Sequence, residues 1–193
     1  MKLIVLGLNH RSAPVNVREV FSFDKTEISE AINHVYEHEQ VAECVLLSTC
    51  NRTELYAVLE DVENPKQFML HLLQHLKGVE DMEIEDDWFF MYEGHDLLAH
   101  LFNVASSLDS LVLGEGQILS QLKMAYISAY SRGLTGPIFN IIFQRAISVG
   151  KKVRTVTGIA NTPVSVSYAA VNLAEDCLTK PMSEAKVLVL GSR

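Results

Sequence analysis

CVLLSTCNRTELYAVL, residues 44–59, is the stretch that decides the fold. Residues 44–48 are an apolar run rich in β-formers, and residues 53–59 alternate apolar with polar. Both read as strands, and the polar tetrapeptide Thr49-Cys50-Asn51-Arg52 between them reads as a turn, although it holds no Gly or Pro. Working outward, each strand borders a helix. Upstream, Asp24-Lys25-Thr26-Glu27 has the form of a capping box, and Ile28, Ala31, Ile32, Val35 and Tyr36 then share one helical face. Downstream, Asn64-Pro65 opens a helix with Phe68, Met69, Leu72, Leu73 and Leu76 on one face. Residues 3–8 (LIVLGL) begin this series as a buried strand, and DDWFFMYEG (86–94) closes it as a short one. The order β-α-β-β-α-β predicts an α+β domain with a ferredoxin-like, split βαβ sheet.

From residue 95 the periodicity is helical, with helices expected over 95–106, 117–132, 137–155 and 163–179. Thr162-Pro163 has the pattern of an N-cap followed by Pro at the first helical position, and Pro181 ends that helix. AKVLVLGSR (185–193) reads as a strand entering a Gly turn at Gly191, as the first strand of a dinucleotide-binding domain does. The expected organisation is therefore a domain over 1–156, with a sheet part over 1–93 and a helical part over 94–156. A connecting helix over 157–182 and the start of a Rossmann domain over 183–193 follow.

The chain has 193 residues, 48% of them hydrophobic and 21% charged, enough for one good core and part of a second. No apolar stretch approaches the roughly 20 residues that span a bilayer, and MKLIVLGLNHR is too short an apolar start for a secretory signal. Three widely spaced cysteines form neither a disulfide framework nor a zinc pattern, so a reducing, cytoplasmic setting is expected. The net charge of −8 argues against a surface that grips nucleic acid mainly through phosphates.

Cys44 and Cys177 fall within a strand and an apolar-faced helix, and read as small buried hydrophobes. Cys50 sits at the turn, where its sulfur is reachable. Arg52 two residues on can favour the thiolate, and Thr49 and Asn51 add donors for a polarised carbonyl. Local pattern alone leaves a nucleophile and an incidental cysteine equally open. A thiol nucleophile needs a proton partner. His34/His38 and His71/His75 are pairs one turn apart, but with no HExxH glutamate and no third ligand they read as solvated surface. His100 lies just outside the apolar arc of Leu97, Leu98, Leu101, Phe102, Val104 and Ala105, with Asp96 one turn earlier as a carboxylate that can orient its ring. By pattern alone, a boundary histidine without a chemical role is the commoner case.

SLDSLVLGEGQ (107–117) joins two helices, and Gly114 and Gly116 free the backbone on both sides of Glu115. Gln117 and Gln121 lie in one stripe beside the apolar arc of the following helix. They suit a polar ligand with donors and acceptors, or form a solvated edge. Arg145, Lys151, Lys152 and Arg154 make only a weak basic patch.

GLNHRSAPVNVRE (7–19), LLSTCNRTELY (46–56), SLDSLVLGEGQILSQLKMAY (107–126) and VSVSYAAVNLAE (164–175), taken in this order along the whole chain, resemble glutamyl-tRNA reductase. The resemblance implies NADPH-dependent reduction of glutamyl-tRNA(Glu) to glutamate-1-semialdehyde, the first step of 5-aminolevulinate and tetrapyrrole synthesis. It implies Cys50 as the nucleophile that forms a glutamyl thioester, and His100 as a second catalytic residue. Thr49, Asn51, Arg52, Ser110, Glu115, Gly116, Gln117 and Gln121 become substrate-binding residues, and Gly191 a cofactor-binding one. Within this reading, Arg52 is expected to pair with the substrate's side-chain carboxylate and Glu115 to meet its ammonium. The implied partners are glutamyl-tRNA(Glu), a second copy of the full-length enzyme in a homodimer and glutamate-1-semialdehyde aminotransferase as a channelling partner; no metal or membrane is implied. Because the cofactor domain stops after its first strand, and Arg193 departs from the expected G-x-G, this chain is expected to acylate or hydrolyse but not to reduce. Two other classes are weighed: an amino-acid-binding regulatory module without catalysis, and a thiol redox sensor using Cys50, with Cys44 as a resolving thiol.

Overall fold

The computed structural model describes residues 1–160 and 166–188. Within them the elements run β1 (Lys2–Asn9), α1 (Val15–Val20), α2 (Lys25–Tyr36), β2 (Val41–Ser48), β3 (Arg52–Leu59), α3 (Pro65–Lys77), β4 (Phe90–Glu93), α4 (Gly94–Ala105), α5 (Gln117–Ser131), α6 (Pro137–Val156) and α7 (Val166–Cys177). The four strands form one sheet in the order β2-β3-β1-β4 with every neighbouring pair antiparallel, the ferredoxin-like arrangement that the element order predicts. Register is continuous across the centre: Leu55 of β3 lies between Leu46 of β2 and Leu6 of β1, and Gly7 lies between Glu54 and Phe90.

Alternation along the strands assigns the two faces. Cys44 Sγ points at Ile32 O of α2, so its face is covered by α2 and α3. Glu43, one residue earlier, points the other way. Its carboxylate accepts from Ile138 N at 3.0 Å and Phe139 N at 2.7 Å, which fixes the N-terminus of α6 on the opposite face. A Cβ at Gly136 would stand 2.7 Å from that carboxylate, so the glycine makes room for the contact. Helices cover both faces, and all eight residues of β3 are buried.

The capping box forms as expected: Asp24 Oδ1 accepts from Thr26 N and Glu27 N, and Glu27 Oε2 accepts from Asp24 N. Asn64 Oδ1 caps α3 by accepting from Gln67 N, and Gly78, at φ 63°, ends it in the left-handed conformation. The helical layer packs on aromatic rings: Phe143 of α6 meets Tyr56 edge-on at 5.3 Å and stacks on Tyr126 of α5 at 5.7 Å.

Four departures have local causes. α1 goes unpredicted because six residues with one buried position, Val17, carry no readable period. β2 begins at Val41, not residue 44, because a bulge between Val41 and Glu43 resets the alternation and aims Glu43 inward. β4 is only four residues long, since residues ahead of Phe90 run as loop and turn. Residues 185–188 form no strand. Thr162, Pro163 and Gly191 lie outside the described residues. Among the described residues, no helix is long and apolar enough to cross a membrane.

Candidate active site

The hairpin turn between β2 and β3 is built by side chains in place of glycine. Thr49 N donates to Arg52 O at 2.8 Å, and Thr49 Oγ1 accepts from Asn51 N at 3.2 Å and Arg52 N at 3.1 Å. The threonine hydroxyl does what a turn carbonyl would do, so four polar residues turn without φ strain. Two neighbours hold the turn from outside. His10 N donates to Asn51 O at 3.0 Å, and Arg18 Nη1 of α1 donates to Cys50 O at 3.1 Å and Asn51 Oδ1 at 3.3 Å. The Cys50 backbone is fixed while its side chain is exposed. Cys44 is fully buried, and burial pushes its thiol up to about 12, which removes it as a resolving thiol. Cys177, expected to be buried, is exposed, because the described side chains of α7 have no core to enter.

Beneath the turn lies a buried ionic network. Arg52 is 2% exposed and turns inward: Nη1 donates to Glu54 Oε1 at 2.7 Å and Asp109 Oδ2 at 3.0 Å, and Nη2 donates to Asp109 O. Its fork is thus held by the protein's own Glu54 and Asp109. Glu54 is fully buried and serves three groups, since Tyr56 Oη donates to Oε2 at 2.6 Å and His100 Nε2 stands 3.0 Å from Oε1. Burial pushes the Glu54 carboxyl upward, but Arg52, His100 and Tyr56 together outweigh it and hold the group down at about 2. Burial and the Glu54 charge keep the Tyr56 hydroxyl protonated, so it donates. Gly7 admits this cluster: a Cβ there would stand 2.8 Å from Glu54 Cγ and from Thr53 O. His100 is buried against Phe90 and Tyr92, at 5.1 and 5.0 Å between ring centres. Its carboxylate partner is Glu54 and not Asp96, whose side chain is 82% exposed.

The third component is the loop over 107–116. Ser107 at φ 61° and Gly114 at φ 80° give it left-handed corners. Arg154 of α6 ties it shut: Nη1 donates to Gly114 O at 3.1 Å and Glu115 O at 2.9 Å, while Ser107 Oγ donates to Glu115 O at 2.8 Å. The loop thereby presents Asp109 to Arg52 and to the exposed Arg11, whose Nη1 lies 3.0 Å from Asp109 Oδ1. A cleft of about 460 Å³ opens here between Arg11, Tyr92, Asp96, His100, Asn103 and Asp109. Two buried polar atoms at this site have no hydrogen-bond partner among the described residues: Ser110 Oγ and His10 Nδ1. Burial, then the charges of Arg52 and Arg11, lower the His10 pKa and keep its ring neutral.

The sequence-predicted residues thus divide. Thr49, Cys50, Asn51 and Arg52 form one turn, joined through Glu54 to His100 and through Asp109 to Ser110. Glu115 and Gln121 are half-buried and Gly116 and Gln117 exposed, on or after the Arg154-tied loop, with no hydrogen bond to the Cys50 turn. Gly191 lies outside the described residues. Sequence reading missed His10, Arg18, Glu54, Asp109 and Arg154. Glu54 had a signal: strand alternation places it with Arg52 and Tyr56 on one face, a charge where a core residue belongs. Among the described residues, Glu54, His100 and Asp109 alone offer three ligand atoms within 4.8 Å of one another. The Arg52 guanidinium already stands between those carboxylates, so the cluster has its cation.

The family model for the N-terminal domain of glutamyl-tRNA(Glu) reductase matches residues 6–157. A glutamyl-tRNA reductase from Pseudoalteromonas translucida is 43% identical over all of this chain, and one from Carboxydothermus hydrogenoformans is 42% identical. The chain spans 45% and 42% of their lengths. Among solved structures, glutamyl-tRNA reductase from Methanopyrus kandleri superposes with a TM-score of 0.68 at 35% identity, covering 90% of this chain and 39% of that one.

Proposed function

Since the chain belongs to the glutamyl-tRNA reductase family, we propose that it is the part of such an enzyme that takes the glutamyl group from glutamyl-tRNA(Glu) onto Cys50. The Cys50 sulfur attacks the ester carbonyl and forms the C–S bond. The bond from that carbon to the ribose oxygen breaks, and the ribose oxygen leaves with a proton as tRNA is released. The observation that carries this reading is an exposed thiol on a backbone pinned from both sides, set directly above a buried Arg52–Glu54–His100 network. An ester carbonyl needs an approachable nucleophile, and a fixed turn presents one without ordering cost.

The other residues fall into supporting roles. His100, held at Nε2 by an ionised carboxylate, is the group built to carry a proton. Thr49 shapes the turn, and Asn51 faces the substrate beside Cys50. Arg52 takes the substrate's side-chain carboxylate in exchange for Asp109, while Ser110 Oγ, which has no partner among the described residues, supplies a hydrogen bond. Glu115, Gly116, Gln117 and Gln121 form the opposite wall, with Glu115 toward the α-ammonium.

In the whole enzyme the thioester is reduced to glutamate-1-semialdehyde, the entry to tetrapyrroles, and NADPH supplies the hydride when bound. Residues 185–188 form no strand, so the described residues supply no first strand of a dinucleotide fold. No step of the reduction is assigned to them. The chain alone acylates, and water then slowly hydrolyses the thioester. Homodimerisation, the aminotransferase partner and a cytoplasmic setting belong to the same proposal for the full-length protein.

Intact-mass spectrometry after incubation with glutamyl-tRNA, without NADPH and with an acid quench, tests it. One added glutamyl group is expected, absent in Cys50→Ser and removed by hydroxylamine, with Arg52→Lys acylating more slowly at low substrate. Folded protein that yields neither adduct nor released glutamate overturns it. A thiol redox sensor would instead be oxidised reversibly at Cys50 with no dependence on tRNA.

A further inference from the structure

The turn that carries Cys50 has a cation at its back. Arg18 lies on α1, where its neighbour Val17 is buried, and its Nε donates to Ala13 O at 3.2 Å. From that fixed base, Nη1 donates to Cys50 O at 3.1 Å and to Asn51 Oδ1 at 3.3 Å. A guanidinium has no acceptor, so the amide atom that faces it is Oδ1, and Nδ2 is turned away.

Asn51 is then held on every polar atom but that one. Its N–H donates to Thr49 Oγ1 at 3.2 Å, its carbonyl accepts from His10 N at 3.0 Å, and Oδ1 accepts from Arg18. Among the described residues, Asn51 Nδ2 donates to no protein atom, and neither does the N–H of Cys50. Free donors thus stand on adjacent residues, and one of them is the nucleophile's own amide. Acyl transfer uses such donors. When sulfur adds to a carbonyl, an electron pair moves onto oxygen, and donors already in place hold that anion without reorganising.

We propose that Arg18 is a positioning residue for acyl transfer: by holding Asn51 Oδ1 it aims Nδ2, together with the Cys50 N–H, at the oxyanion that forms when Cys50 adds to a carbonyl. The inference rests on Cys50 as the acyl acceptor and names what carries the developing charge there. The Sγ–C bond forms, the carbonyl pair passes to oxygen and is held by the two donors, and its return expels the ester oxygen. Lysine does not substitute for this arginine. An ammonium keeps the charge but lacks the planar fork that reaches Ala13 O, Cys50 O and Asn51 Oδ1 together.

The test applies two reagents to one thiol, in a Cys177→Ser background so that the other exposed cysteine does not compete. p-Nitrophenyl acetate acetylates Cys50 through an oxyanion: sulfur gains the acetyl group, p-nitrophenolate leaves and the thiol proton goes to buffer. Iodoacetamide alkylates the same sulfur by displacement of iodide, with no oxyanion. Both rates are followed by intact mass at one pH, with Cys50→Ser as the blank. A change in the exposure or ionisation of the thiol moves both rates together, whereas a change in the oxyanion donors moves only acetylation. Arg18→Lys and Asn51→Ala are each expected to slow acetylation about tenfold or more while alkylation stays within about twofold. The double variant is expected to be no slower than Asn51→Ala, because the two residues act as one unit. Circular dichroism shows that each variant is folded. With glutamyl-tRNA, Arg18→Lys lowers the saturating acylation rate and leaves the half-saturating concentration unchanged, since the charge is kept. If acetylation and alkylation slow together in Arg18→Lys, or neither slows, the proposal is overturned. The proposed function fails separately: a chain that shows the split between the two reagents yet takes nothing from glutamyl-tRNA overturns that function and supports the role of Arg18.

Discussion

Glu54 is the residue on which the site depends. A fully buried carboxylate is tolerated only because Arg52, His100 and Tyr56 all address it, and removing a partner from such a cluster costs about 3–5 kcal/mol. Its protonation gives a signed prediction. The folded carboxyl titrates at about 2, below its ordinary 4.5, so the folded state binds that proton less readily than the unfolded chain. The stabilisation is therefore complete above about 4.5 and is lost as pH falls from there through about 2. Urea unfolding of the wild type and Glu54→Gln is expected to show a gap of about 3–5 kcal/mol near neutral pH that narrows steadily below about pH 4.5. A gap that stays constant down to pH 3 would mean that the loss in Glu54→Gln comes from packing and not from the charge.

At the scale of elements, the site is three connections held at their ends: the β2–β3 turn by Arg18, the strand end at His10 by Asn51, and the 107–116 loop by Arg154. Arg154→Ala should release the third and leave the other two. Amide exchange at Gly114 and Glu115, whose N–H groups bond to Ser107 O and Val112 O, is expected to quicken at least about tenfold, while β1 and β3 amides keep their protection. Equal exchange in both proteins would show that the loop is held by something other than Arg154. Local signals made the sheet legible, because alternation, capping residues and apolar faces act within a few residues of sequence. The anchors were not legible for the opposite reason. Arg154 serves carbonyls some 40 positions earlier, and Arg18 reaches across 32 positions to Cys50. That Asp109 occupies Arg52 was not legible either, because the loop delivers that carboxylate 57 positions later. Asp96 looked like the partner of His100 because helical spacing was the only geometry available. The histidine pairs stay at the surface as their spacing predicts, with the His34 and His75 side chains 43% and 54% exposed, and what sequence does not show is that α2 and α3 bring those two rings to 5.4 Å.

The whole molecule sets acid against local base. The net charge is −8, yet Arg11 and Arg18 stand beside the Cys50 turn, with Arg11's side chain 61% exposed. The distant basic residues Arg145, Lys151 and Lys152 lie exposed on α6 and leave the overall balance acidic. On the proposed function, a polyanion the size of a tRNA would be repelled at long range and held only where its acceptor end enters. Few phosphates can be neutralised, and each contact on a single strand contributes about −0.7 to the slope of log affinity against log salt. With Arg11 and Arg18 as the contacts, the acylation rate at low glutamyl-tRNA should fall with salt at a slope of about −1 to −2. Arg11→Ala should flatten that slope by about 0.7 and slow acylation at low salt more than at high salt. A slope of about −5 or steeper in the wild type would require a broad phosphate-binding face, which neither the composition nor the charge distribution of this chain provides.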